Sequence, residues 1–552
     1  MLEKRNKIVF TVILIIFSCL CTRFLYLQVY SGKNLFKAAA SQRTASSEIE
    51  PLRGDLLDRN DIRFTNRSTK FIAVIKPLLL RGRDEEIRKV SDILGLDFYK
   101  LKREIGFKSE PILEEVSEET KNLLTELSDP GISIINSLSR YDKNSVAKHV
   151  LGYLNKVDKV GEAGIEKYYN NILHMGEDES VGAVKDAKNN LIKGIGYTIN
   201  KSGDTSAKLN VKLTLDYHIQ QIVEKSMEKN RITGAVVVED VCTGDIVAMA
   251  SKPDFDQNDV GRYLNSTGNE LFNRAVASYN IGSIFKIVDA AAILQSREHS
   301  EEIFYCPGYA KIGNMEFKCT SYSKGGHGWV NLDEAFAYSC NTYFINSGIK
   351  LGSEILLGTA EKFGLGSYTG INRQGVDESS GKLPGINKKY TTGDVANIAI
   401  GQGDVLATPL QVADMVATVA NGGIKNQVNL VDSIVDGEGN EIKKIRVKKG
   451  ERILPKEVAD RIKFLMEEVT VRGTGTNASL KEYGGAGGKT GSAETGQYID
   501  GNKVVHAWFA GYFPLRDPKY SIAVFVENGK NGGQTAAPVF EEIAEEIMKK
   551  GY

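Results

Sequence analysis

The sequence predicts an α+β protein: an antiparallel sheet covered by helices, on an elongated N-terminal pedestal with one transmembrane helix at its start. Three observations predict it. Lys4, Arg5 and Lys7 precede an apolar run from 8 to 30. Between 31 and 205, short strand patterns mix with charged amphipathic helices. After 206, strand-like apolar runs with turn signals stand at both ends of a region whose middle is helical in period.

The bulk properties set the frame. The chain has 552 residues, 41% hydrophobic and 25% charged, the composition of an ordinary globular protein. That length leaves room for about three domains. Lys plus Arg and Asp plus Glu both number 70, so no net field attracts nucleic acid, and no nucleic-acid partner is expected.

Each element follows in order. Ile8 to Tyr30 as a helix would reach roughly 34 Å, enough to cross a bilayer with Arg23 snorkelling. No small-x-small cleavage site follows, so an uncleaved anchor is expected, with residues 1–7 as a cytoplasmic tail and the rest outside the membrane. In the pedestal, 31–205, "RDEEIRKVSDILGL" and "EETKNLLTELS" read as helices with solvated charges. "NKSGDTSAKLN", 200–210, is polar and marks a boundary. Beyond it "VKLTLD", "GAVVVEDVCTGDIVAMAS", "VVHAWFAGYFP" and "YSIAVFVENG" read as strands, with Cys242 expected as a packed thiol at a turn. A last helix after Pro538 sets Val539, Phe540, Ile543 and Ile547 on one face.

Three short motifs carry the chemistry. "GSIFK" puts Ser283 and Lys286 three positions apart, on one helical face, where an amine can reach a hydroxyl. "YSCNT" holds Ser339 and Asn341, and "GGKTG" holds Lys489, Thr490 and Gly491. Each alone is common in any chain. In the order Ser-x-x-Lys, Ser-x-Asn, Lys-Thr-Gly they match the motif set of penicillin-binding proteins and serine β-lactamases.

The resemblance extends along nearly the whole chain. "RGDLLDRND" (53–61) is similar to the Arg-Gly-x-x-x-Asp-Arg signature of class B penicillin-binding proteins, and "KHVLGYLNKVDKVGEAGIEKYYNNIL" to their His-x-x-Gly…Gly-x-x-Gly-x-Glu stretch. "LTLDYHIQ", "FNRAVASYNIGSIFK", "IAIGQGDVLATPLQ" and "VANGG" match further segments. Where the family commonly has Pro-Gly-Ser-Thr-Phe-Lys, this chain has Ile281-Gly282-Ser283-Ile284-Phe285-Lys286.

The resemblance implies a transpeptidase domain of the penicillin-binding protein type over 206–552 and a dimerisation-type pedestal over 31–205. It implies acyl transfer from the D-Ala-D-Ala end of a peptidoglycan stem peptide, with β-lactams as trapping mimics. Ser283 would be the nucleophile and Lys286 the general base. An exposed lysine near pKa 10.4 could not serve as that base at neutral pH, whereas one at the N-terminus of a buried helix can. Ser339 would relay the proton to the leaving amine and Asn341 would hold the substrate amide. Lys489 and Thr490 would bind the terminal carboxylate, and Gly491 would let the peptide lie along the strand. The N–H groups of Ser283 and Ser492 would form the oxyanion hole. No organic cofactor is called for. No glycan-polymerising domain precedes 205, so a separate membrane glycan polymerase is the expected partner.

A β-lactamase or β-lactam sensor would carry the same motifs, but the long pedestal and single anchor argue against both. A scaffold that activates the polymerase is a compatible addition. Homologues serving elongation, division and sporulation share these motifs.

Cys306, Cys319, His327 and Cys340 lie between the first two motifs. Three thiolates and an imidazole suit tetrahedral zinc, although the short Cys-x-x-Cys of common fingers is missing. A Cys306–Cys319 disulfide or simply packed thiols are the alternatives. Some class B enzymes resemble this arrangement and carry a metal there, which favours a structural zinc.

Overall fold

The computed structural model describes residues 2–30, 44–50, 53–156, 158–174, 179–185, 191, 197–200, 208–296, 302–499 and 501–552. Helix α1 (Leu2–Leu25) takes in residues 2–7 of the expected tail. The span from Lys4 to Gln28 is long and apolar enough to cross a membrane, and none of it is buried against protein. Most of the boundary stretch expected at 200–210 lies outside the described residues.

Contacts divide the chain into two units, and they do so differently from a single cut near 205. One unit takes Met1–Leu52, Ser68–Ser139 and Gly176–Asp204; the other takes Arg53–Arg67, Arg140–Met175 and Thr205–Tyr552. The reason is pairing and charge. Leu56–Leu57 lies parallel to Asn210–Leu213 in a four-stranded sheet of the second unit. Glu166, fully buried, accepts from Arg53 Nε at 2.7 Å, Arg140 Nε at 2.8 Å and the Tyr141 hydroxyl at 3.0 Å. A buried carboxylate needs such partners, which ties 53–67 and 140–175 together.

In the first unit Ser68–Ile75 is the central strand between Ile112–Val116 and Ile132–Ser139, all antiparallel. Helices Asp84–Leu94, Phe98–Phe107 and Glu118–Glu126 supply its core, with Ile87, Val90, Leu101, Ile105 and Leu124 packed against Ala73 and Ile75. Asp97 and Ser117 cap the last two by accepting from Lys100 and Thr120 N–H groups. A second sheet joins Thr44–Glu50, Glu179–Val184 and Tyr197–Asn200.

The second unit is built on a five-stranded antiparallel sheet. Its elements, in chain order, are α2 (Tyr217–Lys229), β1 (Gly234–Asp240), β2 (Ile246–Lys252), α3 (Lys286–Ser296), α4 (Asn341–Leu351), α5 (Pro409–Ala420), α6 (Lys456–Val471), β3 (Gly487–Ile499), β4 (Asn502–Phe513), β5 (Tyr520–Val526) and α7 (Ala537–Lys549). The strand order is β2-β1-β5-β4-β3, so β3 is an edge. Alternate residues feed two cores. Val236, Val238, Ile522 and Val524 pack with α2 and α7, while Val237, Ala523 and Phe525 pack with α3, α5 and α6. A sheet buried on both faces explains why β1 and β5 read as continuous apolar runs. Helix α5 is buried at every position, and it starts cleanly because Thr408 and Gln411 form a capping box ahead of Pro409. In α7, Val539, Phe540, Ile543 and Ile547 are buried, as their spacing predicts. Cys242 is exposed at the β1–β2 turn rather than packed, because the turn projects it away from the sheet.

Candidate active site

The site forms where the edge strand β3 meets the start of α3. A 3-10 turn, Gly282–Phe285, leads into α3. Gly282 has φ +53° and its N–H donates to the Gly401 carbonyl at 3.0 Å. A Cβ there would lie 2.6 Å from the Ser492 carbonyl oxygen, so only glycine lets this turn and β3 touch. Gly491 serves the same approach: its Cβ would lie 2.8 Å from Ile284 Cγ1 and 2.9 Å from the Ile281 oxygen. The missing side chain of Gly491 therefore makes room for the serine turn, a packing role beside the one expected toward substrate. The backbones of Ser283 and Ser492, the expected oxyanion donors, belong to these adjoining segments.

Ser283 is half-buried, and among the described residues its Oγ has no hydrogen-bond partner. The contact expected between Ser283 and Lys286 is thus not made. Lys286, fully buried, turns instead to the segment before α4, reaching the Ser339 carbonyl at 2.9 Å, Ser339 Oγ at 3.1 Å and Asn341 Oδ1 at 2.7 Å. Asn341 Nδ2 donates to the Lys318 carbonyl at 3.0 Å, which fixes the amide so that its oxygen faces the lysine. Two of the three partners can only accept. A neutral amine satisfies both with its two N–H groups and keeps its lone pair for a hydroxyl proton.

Lys489 comes from β3, is also fully buried, and places its amine 3.0 Å from the same Ser339 Oγ. Phe336 and Phe344 wall the two amines. Burial pushes the Lys286 amine down to about 8, with the Cys340, Cys319 and Asp289 groups pulling the other way. Burial, and then the charge of Lys286, holds Lys489 well below the ordinary lysine range. Asp289, one turn into α3, is buried with neither oxygen partnered among the described residues, and burial holds its carboxyl well above the usual range.

Ser339 has a left-handed backbone, φ +57°. It ends the helix Leu332–Ala337, with the Cys340 N–H donating to the Ala335 carbonyl at 2.8 Å, a position where glycine is the usual residue. Thr490 Oγ1 lies 2.6 Å from Thr474 Oγ1, and the Thr474 N–H donates to the Ala337 carbonyl at 3.0 Å. Thr474 was not legible as a site residue; the signal was its flanking glycines in "VRGTGTN". Ser492 is exposed, and its Oγ accepts from the Gly532 N–H at 3.3 Å.

Beside this centre Cys306, Cys319, His327 and Cys340 bring their ligand atoms within 4.8 Å of one another. Their thiols are free. Cys319 and Cys340 sulfurs are 3.8 Å apart, and His327 Nδ1 is 3.5 Å from Cys319 Sγ and 3.6 Å from Cys306 Sγ. A tetrahedron with Zn–S near 2.3 Å and Zn–N near 2.05 Å requires edges of about 3.8 and 3.6 Å. These three separations match those edges and the other three are no longer than 4.8 Å, and the donor set suits a tetrahedral metal in its chemistry.

A family profile described as the penicillin-binding protein transpeptidase domain matches residues 234–545. The chain belongs to the penicillin-binding protein transpeptidase family. A second profile, the penicillin-binding protein dimerisation domain, matches residues 48–206 of this penicillin-binding protein. It is 30% identical to stage V sporulation protein D of Bacillus subtilis over 99% of this chain and 85% of that protein. It is 28% identical to the peptidoglycan D,D-transpeptidase MrdA of Acinetobacter baumannii over 97% of this chain and 87% of that one. Among solved structures, one titled "Structural coordination of polymerization and crosslinking by a peptidoglycan synthase complex" superposes with a TM-score of 0.73 at 26% identity, covering 99% of this penicillin-binding protein and 98% of that chain.

Two outcomes follow from this geometry. Because the Lys286 amine is charged below about 8 and neutral above it, the rate of acylation by a penicillin should climb with pH through about 8 and then level off; a flat profile from pH 6 to 9 would contradict a lysine base. Ser339→Gly and Ser339→Ala should both lose acylation, but the glycine variant should be the more stable by about 1 kcal/mol in urea titration, because it relieves the left-handed strain. Equal stability would mean no strain is stored there.

Proposed function

We propose that this chain is a D,D-transpeptidase that cross-links peptidoglycan through an acyl-serine intermediate. The observation that carries the reading is a pair of buried lysine amines meeting on one serine hydroxyl, beside a half-buried serine whose own hydroxyl is unengaged. Ser283 Oγ attacks the carbonyl of the penultimate D-alanine; the new C–O bond forms as the C–N bond to the terminal D-alanine breaks. The proton of Ser283 passes to Lys286, and Ser339, in contact with both amines, hands a proton to the leaving nitrogen. Thr490 and Lys489 hold the terminal carboxylate. The N–H groups of Ser283 and Ser492 stabilise the oxyanion; losing one such donor typically costs about 100- to 1,000-fold in rate. A β-lactam enters the same sequence and stays on Ser283.

Cys306, Cys319, His327 and Cys340 would hold a structural zinc, which supplies a fixed crosslink rather than an activated water. Cys340 sits between Ser339 and Asn341, so the crosslink pins the segment that holds Lys286. Helix α1 anchors the chain with its basic start in the cytoplasm and the catalytic unit outside. A membrane glycan polymerase is the partner that would supply the strands; a structure of a related chain, titled for coordinated polymerization and crosslinking, supports that pairing.

A fluorescent penicillin should label the detergent-solubilised full chain, and Ser283→Ala should abolish the label. The wild-type adduct should persist for many minutes, whereas rapid loss with turnover of free drug would indicate a β-lactamase. Elemental analysis should find about one zinc per chain, and Cys319→Ser should lower both the melting temperature and acylation. Metal-free protein with full acylation would remove the zinc assignment, and a mass two protons below the reduced value would replace it with a disulfide.

A further inference from the structure

A cavity of about 470 Å³ adjoins the lysine–serine centre, with Thr474, Tyr338, His327, Lys324, Glu334 and Trp329 among its walls. Its inner end is tied to the site, since Thr474 Oγ1 is hydrogen-bonded to Thr490 Oγ1 and Tyr338 directly precedes Ser339. At its outer end Trp329 is 69% exposed, edge-on to the exposed Tyr305 with ring centroids 5.3 Å apart. Core packing does not account for two large aromatic rings left in water on the short strand pair Phe304–Cys306 and Gly328–Val330. Lys324 is exposed on the turn that follows Cys319, and Glu334, whose Oε2 accepts from the Asn331 N–H at 3.0 Å, also lines the cavity, so the walls offer both signs of charge beside an aromatic face.

We propose that this cavity is the subsite for the acyl acceptor, a peptide stem that carries a free amine together with carboxylates. The inference rests on the transpeptidase reading above and names where its second substrate sits. Microscopic reversibility supplies the argument. In the first half-reaction the D-alanine nitrogen leaves the carbonyl carbon on the side where Thr490 holds its carboxylate. In the second, the acceptor nitrogen approaches the same carbon along the same line. The new N–C bond forms, the bond from that carbon to Ser283 Oγ breaks, and the amine proton is returned through Ser339 and Lys286 to Ser283 Oγ. The body of the acceptor must then extend away from Ser283 past Thr490. Beyond Thr490 stand Thr474 and this cavity, whose volume lies in the range of ligand-sized sites. The donor stem keeps the free edge of β3, so the two peptides do not compete. Trp329 packs on the acceptor backbone, Lys324 meets its carboxylate, and Glu334 meets an ammonium group.

The test uses the full chain in detergent, acylated from an N-acyl-D-alanyl thioester, with two acceptors: free D-alanine, which reaches only the inner end, and the tripeptide L-Ala-γ-D-Glu-L-Lys, which reaches the cavity. Aminolysis and hydrolysis products are counted per acyl-enzyme formed, which removes any effect on acylation. Trp329→Ala should lower the aminolysis-to-hydrolysis ratio for the tripeptide at least tenfold, and Lys324→Glu, on an exposed turn, at least threefold. Both should change the ratio for D-alanine less than twofold. An unchanged tripeptide ratio in both variants overturns the proposal, and so does a parallel fall for both acceptors, which would mark general damage. A wild-type chain that forms no acyl-enzyme overturns the transpeptidase reading instead, before any acceptor is added.

Discussion

Two amines in one water-poor pocket cannot both stay charged, and the site depends on that constraint. Lys286 and Lys489 are buried to zero exposure and share Ser339 Oγ as a partner. Each ammonium would carry the cost of lost hydration and the repulsion of the other. The relief is for the amines to give up protons more readily than a free lysine does, and burial lowers both, Lys286 to about 8 and Lys489 well below the ordinary range. The surroundings are arranged to keep it so. Phe336 and Phe344 wall the amines, the Asn341 amide is locked with its oxygen inward, and burial holds the Asp289 carboxyl well above the usual range.

That pocket needs a rigid frame, and three separate pieces of chain provide it. The serine turn is pressed on β3 through Gly282 and Gly491, Lys489 comes from β3 itself, and Ser339 with Asn341 stands at the head of α4. The last piece is the weakest by ordinary helix rules, because a serine occupies a left-handed position and Cys340, which caps no N–H with its side chain, begins the helix. The cysteine–histidine cluster lies against that weak piece.

Much of this was legible in the sequence because motif spacing records chemistry. Ser283, Lys286, Ser339, Asn341, Lys489 and Thr490 could be picked from three short strings, and the apolar runs of β1, β2, β4 and β5 with their turn signals announced the sheet. What escaped depended on three-dimensional contact. Nothing in "GSIFK" says that the lysine will turn away from its own serine toward a loop more than fifty residues on. Thr474 lies in an unremarked glycine turn and matters only because α6 delivers it to Thr490. The packing of Gly491 against Ile284 was not legible either. Likewise only contact shows that the buried Glu166 and the short strand Leu56–Leu57 join early segments to the late unit.

That interleaving has a consequence for how the protein comes into being. Residues 53–67 and 140–175 leave the ribosome long before β4 and β5, yet they belong to the unit whose central strand, β5, is the last to be made. Arg53, Arg140 and Glu166 can find one another early, but the surface they finally pack on does not exist until almost the whole chain has been delivered. Such high contact order is slow to resolve and leaves apolar strands waiting. The second unit therefore completes its central sheet only near the end of synthesis, after its early segments have long been made.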